Sequence, residues 1–191
     1  MATLAGTGFE REPRFPGWRS ALAMTYAEIG RLDEAGREFE TIATNDFADC
    51  RFDHTWTTVM VTAGEVCAAL GDARRADILY RLVLPFEHRP VVLGRAVVCI
   101  GSLARTLGQL ATVLRRWDDA EGHFVVADEV NHRMGAVPLI AWNQADHARM
   151  LLTRGDPSDA ERAQDLLAAA RITTDELRLG GLRSKLSQLG G

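Results

Sequence analysis

Lysine is nearly absent from this chain: Lys185 is the only one, and arginine supplies the rest of the 22 basic residues. Acidic residues number 26 and the formal net charge is −4, so no basic field exists to attract nucleic acid or an anionic lipid surface. Cysteine is scarce as well. Cys50, Cys67 and Cys99 are odd in number, widely spaced and without a CxxC pair, which argues against a disulfide framework and fits a reducing cytosol. Proline occurs six times and aromatic residues make up only 7%. The stretch MATLAGTGFEREPRFPGW lacks the apolar core of a signal peptide. The longest apolar run, VVLGRAVVCIGSLA at 91–104, is interrupted by Arg95 and too short to cross a bilayer. These absences lead to the expectation of a soluble, cytoplasmic protein with no direct nucleic-acid or membrane partner.

What is present is repetition. GRLDEAGREF at 30–39, GDARRADILY at 71–80 and RRWDDAEGHF at 115–124 share one plan: a turn, charged residues, an alanine, and an aromatic residue four positions later. A fourth copy lies in RGDPSDAERAQDLLAAA, with three residues inserted. The shared alanines, Ala35, Ala76, Ala120 and Ala163, are spaced 41, 44 and 43 residues apart. A near-constant period of about 20–50 residues is the signature of stacked repeats.

A long helical pattern precedes each phrase. Trp18, Leu22, Tyr26 and Ile29 recur at helical spacing, as do Leu103, Leu107, Leu110 and Leu114, each set forming one apolar stripe. The phrase itself opens a second helix, with Asp33-Glu34 or Asp118-Asp119 at its positive end. The alanine sits where two helices approach. Phe39, Tyr80, Phe124 and Leu167, one turn on, fill the gap toward the next pair. Such a hairpin cannot bury its apolar face alone, and stacking supplies the cover. Helices are expected near 18–29, 33–44, 52–70, 73–84, 92–114, 117–133, 137–154, 159–171 and 174–188, the last one capping the array. Residues 1–15 read as a loose leader and 16–191 as one domain. Cys67 and Cys99 read as small core residues on helical stripes.

The pattern resembles the tetratricopeptide repeat. Unit one matches with Leu22, Ala23, Tyr26, Gly30, Ala35 and Phe39; unit three with Leu107, Gly108, Ala120, Phe124 and Ala127. Unit three departs at Ala111, where tyrosine is usual, and at Arg115, where glycine is usual. Unit two keeps Gly64, Gly71, Ala76 and Tyr80, and unit four keeps Ala148, Gly155, Ala163 and Ala170. The period exceeds the usual 34 residues, so both helices of the unit are expected to be longer. The resemblance implies an all-α, right-handed α-solenoid of four helical hairpins plus a C-terminal capping helix; an irregular all-α bundle is the alternative.

The phrases GSLARTLGQLATVLRRWDDAEGHF, NHRMGAVPLIAWNQADHARMLL and RGDPSDAERAQDLL narrow the likeness. They resemble the C-terminal repeat arrays of large bacterial, mainly actinobacterial, AAA/STAND-type signalling ATPases, adenylyl/guanylyl cyclases and LuxR-type regulators. The chain has no GxxxxGK[ST] phosphate loop, no recognisable set of cyclase aspartates and no separate helix-turn-helix, so those activities do not carry over. The resemblance implies a sensor or scaffold portion alone.

Catalytic, metal and cofactor readings are weak. AGTGFE at 5–10 lacks the third glycine and the preceding strand of a dinucleotide loop. His123 and His132 are nine apart and point away from each other on one helix; they are expected to be solvated or capping. Glu87-His88 and Asp146-His147 are adjacent, and neighbours on a helix do not face each other. No serine or cysteine has a base at a spacing that would activate it. No catalytic residue, metal ligand or cofactor is therefore assigned. In a tetratricopeptide array the first helix of each unit lines the concave surface. That places Met24, Glu28, Glu65, Arg105, Gln109, Trp142 and Arg149 in a groove suited to a peptide or protein loop, including ATPase or cyclase domains of a parent protein. Arginines there would take carboxylates and Trp142 would anchor. The alternative reading is an effector sensor, with a polar pocket at 85–105. Self-association through an end of the array also stays open.

Overall fold

The computed structural model describes residues 16–93 and 98–189. The proposed leader at 1–15, with its AGTGFE segment, lies outside the described residues. Those residues form nine α-helices, three short 3₁₀ turns and one two-stranded sheet. The helices are α1 (Pro16–Glu28), α2 (Leu32–Ile42), α3 (Trp56–Leu70), α4 (Ala73–Val83), α5 (Leu103–Val113), α6 (Trp117–Arg133), α7 (Val137–Arg154), α8 (Ala160–Glu176) and α9 (Gly180–Leu189). The class is all-α, as expected. No helix among the described residues is long and apolar enough to cross a membrane.

Local chemistry sets most helix ends. Pro16 opens α1 and Pro138 sits in the first turn of α7, where a missing N–H costs nothing. The Asp72 side chain accepts from the Arg75 amide and caps α4, and Ser102 accepts from the Ala104 amide and caps α5. The first helix of each pair ends at a left-handed residue: Gly30 (φ 78°), Gly71 (φ 69°), Arg115 (φ 56°) and Gly155 (φ 73°). In three of them the next amide reaches back five residues: Arg31 to Tyr26, Asp72 to Cys67, and Arg116 to Ala111. That is the closing bond of a Schellman cap. Arg115 therefore takes the same left-handed backbone as Gly30, Gly71 and Gly155.

The four anchor alanines hold one structural position. Ala35, Ala76, Ala120 and Ala163 are each the fourth residue of their helix and each is fully buried. One turn later Phe39, Tyr80, Phe124 and Leu167 are buried too. The core runs on through Met60, Val66, Leu79, Leu103, Leu107, Leu110, Met150 and Leu151 without a break between pairs. Ile29, expected on the stripe of α1, is instead exposed, because it lies past the last helical turn.

Helix neighbours follow a regular order. Within pairs, α1 packs on α2, α5 on α6 and α7 on α8; between pairs, α1 meets α3, α3 meets α5, α5 meets α7 and α7 meets α9. Successive even helices approach less closely. Side chains span those wider gaps: Arg75 to Glu40 at 2.5 Å joins α4 to α2, Arg116 to Asp77 at 2.9 Å joins the start of α6 to α4, and Arg162 to Glu121 at 2.6 Å joins α8 to α6.

One helix expectation fails. The helix foreseen over 92–114 begins only at Leu103. Before it, β1 (Pro90–Leu93) and β2 (Val98–Ser102) pair antiparallel, with Pro90 opposite Ser102 and Val91 opposite Gly101. The register slips between Val91 and Val92, and Gly101 at φ 118° absorbs the slip. The cause is composition: Val91, Val92, Val98 and Ile100 are β-branched and stiff at χ1, and Ser102 starts the helix late. Cys99 thus lies on a strand and is exposed, contrary to its assignment as a core residue, whereas Cys67 is buried in α3 as expected. The last two helices also divide later than foreseen, at Leu177–Leu179 rather than near residue 172.

Candidate functional site

The odd helices meet at one buried charged cluster. Arg105 and Gln109 lie one turn apart on α5, and Trp142 and Asp146 one turn apart on α7, so each helix presents two side chains to its neighbour. The Asp146 carboxylate is fully buried and accepts from Arg105 Nε at 2.8 Å, from Gln109 Nε2 at 2.7 Å and from Lys185 Nζ of α9. Arg105 Nη1 continues the chain by donating to Glu65 Oε1 of α3 at 2.7 Å. The Trp142 ring lies 5.5 Å from the Arg105 guanidinium and 5.2 Å from Lys185 Nζ, both within cation–π range. α9 also touches this ring: a Cβ on Gly181 would lie 3.7 Å from Trp142 Cζ2.

The electrostatics follow from burial and pairing. Burial pushes the Asp146 carboxyl up, but Lys185, Arg105 and Arg149 outweigh it and hold it well below the usual carboxylate range. Burial likewise opposes the Arg105 charge, and Asp146 and Glu65 more than restore it. Desolvation lowers Lys185, against the pull of Asp146. Glu28, at the end of α1, is raised by desolvation and by the Glu65 charge, and Lys185 draws it partly back. Glu28 has no cation within ion-pair distance among the described residues. The Gln109 side chain is buried, and its carbonyl oxygen has no hydrogen-bond partner.

Of the seven groove residues foreseen, Glu65, Arg105, Gln109 and Trp142 join one network. Glu28 and Arg149 act on it through their charges. Met24 does not join; it packs, partly buried, against the apolar core. Arg105 is not an open receptor for a partner's carboxylate: it is buried and already holds Asp146 and Glu65. Trp142 is not an exposed anchor either, since α9 half covers it. Asp146 and Lys185 escaped the sequence reading. The signals were there: Asp146 follows Trp142 by one helical turn, and Lys185 is the chain's single lysine.

A second set joins α4 to α6. The Tyr80 hydroxyl lies 2.8 Å from His123 Nε2, and His123 Nδ1 lies 2.5 Å from Glu87 Oε1. A carboxylate only accepts, so Nδ1 carries a proton, and in the neutral tautomer Nε2 accepts from the Tyr80 hydroxyl. His123 is buried here, not solvated as foreseen, because the wide gap between α4 and α6 needs a polar bridge. His147 is also buried, stacked on Phe124 at 5.3 Å, while its neighbour Asp146 turns to α5 and α9. The two do not act together, as their adjacency implied.

A cavity of about 620 Å³ lies elsewhere, between α1, α2 and α3, with Arg19, Thr41, Cys50, Arg51, Asp53 and Trp56 among its walls. It is distant in sequence from residues 85–105, where β1 and β2 lie. Among the described residues no group of three or more His, Cys, Asp or Glu side chains is arranged to hold a metal ion. Comparison of the chain with protein-family models, curated proteins and solved structures finds no match.

Proposed function

We propose that the chain is a right-handed α-solenoid of four tetratricopeptide-like hairpins closed by α9, and that it works as a non-catalytic scaffold. In this reading it binds a protein or peptide, or the ATPase or cyclase domains of a parent, in a bacterial signalling or transcription-regulating system. The observation that carries the reading is the inequality of the two helix rows. The odd helices pack directly, one on the next, while the even helices are held apart by long side chains. A stack whose members sit closer along one row than the other bends toward the closer row, which makes the odd face concave. The common position of the four anchor alanines and the four left-handed helix ends support the same repeat.

The test is site-specific photo-crosslinking in cell extract. A benzoylphenylalanine at position 24 or 149, on odd helices, should give partner adducts, whereas one at the exposed positions 125 or 172, on even helices, should give none. Adducts confined to 125 and 172 refute the reading. A second reading, effector sensing that regulates an attached or partner ATPase or cyclase, is favoured by the cavity at α1–α3, whose size lies in the range of about 300–1,000 Å³ typical of ligand sites. A metabolite that raises the melting temperature of the wild type but not of Trp56→Ala would support it.

A further inference from the structure

The cluster on the odd face contains three carboxylates, Glu28, Glu65 and Asp146, and three cations, Arg105, Arg149 and Lys185. Five of these six groups belong to helices embedded in the stack. Lys185 is the exception. It arrives on α9, a ten-residue helix attached by the short Leu177–Leu179 link, in which Arg178 takes a left-handed φ of 54°. Only Leu182 and Leu186 anchor α9 by full burial. A helix of this length is marginal in water by itself, so α9 persists through what it docks on. Removing it would leave the cluster one negative charge in excess and uncover the Trp142 face.

What would remain is a set of acceptors: the Asp146 oxygen that Lys185 now occupies, the π face of Trp142 and, near enough to feel the Lys185 charge, the Glu28 carboxyl, which has no ion-pair partner among the described residues. Beside them lies the Gln109 carbonyl oxygen, more than nine-tenths buried and unpartnered. The Gln109 amide already donates to Asp146, so its free oxygen lies close to the same carboxylate. Each of these groups attracts an N–H donor bearing positive charge, and none attracts an anion.

Building on the scaffold reading, we propose that this site is a receptor for a lysine side chain on a partner peptide, and that α9 fills it in cis through Lys185 until such a peptide displaces it. The resident occupant defines the ligand: a primary ammonium on a flexible stem, borne on a backbone segment that also covers Trp142. The device is competitive. The apparent affinity for the outside peptide is reduced by the small fraction of time that α9 is undocked.

The experiment uses the full chain and its Lys185→Ala variant. The probes are a short peptide with one central lysine, the same peptide with norleucine or glutamate in place of lysine, and n-butylammonium. Binding is read as a saturable change in tryptophan emission, with Trp142→Phe identifying the responding ring. Lys185→Ala should bind the lysyl peptide about ten-fold or more tightly than the wild type does, as removal of an internal competitor requires, and neither control peptide should bind. A response to n-butylammonium equal to that of the peptide would assign the site to free amines and overturn the peptide receptor. Equal affinity in wild type and variant, or no response in either, overturns the proposal. Should Lys185→Ala not fold, amide exchange in the wild type decides: the lysyl peptide should speed exchange across residues 180–189 and the norleucyl peptide should not. Unchanged exchange overturns it. If these assays fail while crosslinks at 24 and 149 persist, the scaffold reading survives without the lysine receptor; if the crosslinks fail too, both fall.

Discussion

Two glycines in helix interiors should respond to alanine with opposite signs. In general an interior Gly→Ala gains about 1 kcal/mol from helix propensity. Gly122, in α6, has open space where a Cβ would go, so Gly122→Ala should gain that amount. Gly108, in α5, faces the Phe124 ring: an added Cβ would lie 2.8, 2.8 and 2.9 Å from three ring carbons. Carbon atoms rest about 3.5–4.0 Å apart, so the ring or the helix must retreat by nearly an ångström. Phe124 is 1% exposed, so its ring cannot retreat into solvent. Overpacking of this kind costs about 1–3 kcal/mol, which outweighs the propensity gain at all but its lower limit. Gly108→Ala should therefore lower stability by about 1 kcal/mol, or the melting temperature by about 2–4 °C for a chain of this size. Gly122→Ala should raise it by a similar amount. Thermal and urea unfolding followed by circular dichroism reads both. The double variant Gly108→Ala/Phe124→Leu should recover part of the loss, since leucine vacates the ring volume. A stabilising Gly108→Ala would refute the close approach of α5 and α6 on which the anchor-alanine argument stands.

Asp146→Asn should cost about 3–5 kcal/mol, because Lys185 would stay buried without its counter-charge and Arg105 would keep only Glu65; urea midpoints measure it, and a loss under 1 kcal/mol would mean that the cluster is solvated. The Asp146 carboxyl is held below its unfolded value of about 3.9, so its contribution is complete above that pH and fades as the pH falls below it toward the folded value. Stability that falls already between pH 7 and 5 in the wild type but not in Asp146→Asn would contradict that sign. Arg115→Gly should stabilise by about 1 kcal/mol, since a left-handed φ strains any residue with a Cβ; a loss would point to an unseen role for the side chain. Burial pushes the Cys50 thiol up to about 11 and the Cys67 thiol up to about 12, whereas Cys99 is exposed. Ellman's reagent at pH 8 should therefore titrate one thiol in the folded chain and three in denaturant, and three fast thiols in the folded chain would refute the burial pattern.

The pairing of helices was legible because it rests on small residues at fixed offsets. An alanine at the fourth position of a helix and a glycine at the end of the preceding one are local requirements, and a local requirement leaves a trace at a constant period. The strand pair at 90–93 and 98–102 was hidden by its own composition. Valines and an isoleucine make an apolar run whether the backbone is extended or helical, and only Ser102 and Gly101 mark the boundary. The cluster was half legible. The resemblance to a tetratricopeptide array put Glu65, Arg105, Gln109 and Trp142 on the facing surface, but it says nothing of partners that lie about 40 residues away. Arg105 thus looked like a receptor when it is an internal strut. Lys185 stood out as the single lysine but could not be placed in the cluster, since a terminal helix bears no repeat from which its docking face could be counted. His123 was misjudged because a polar residue on a helix is commonly solvated, and its burial depends on Tyr80 and Glu87 meeting it from another pair.

The unequal construction of the two helix rows has a mechanical consequence. The odd row is joined by direct apolar packing and by the buried cluster around Asp146, which salt screens far less than exposed pairs. Along the even row, α2, α4, α6 and α8 are bridged by arginine–carboxylate links with exposed members, and ions screen such links. Raising the ionic strength should therefore soften one side of the molecule and leave the other stiff, so that it flexes about the odd row well before any helix melts.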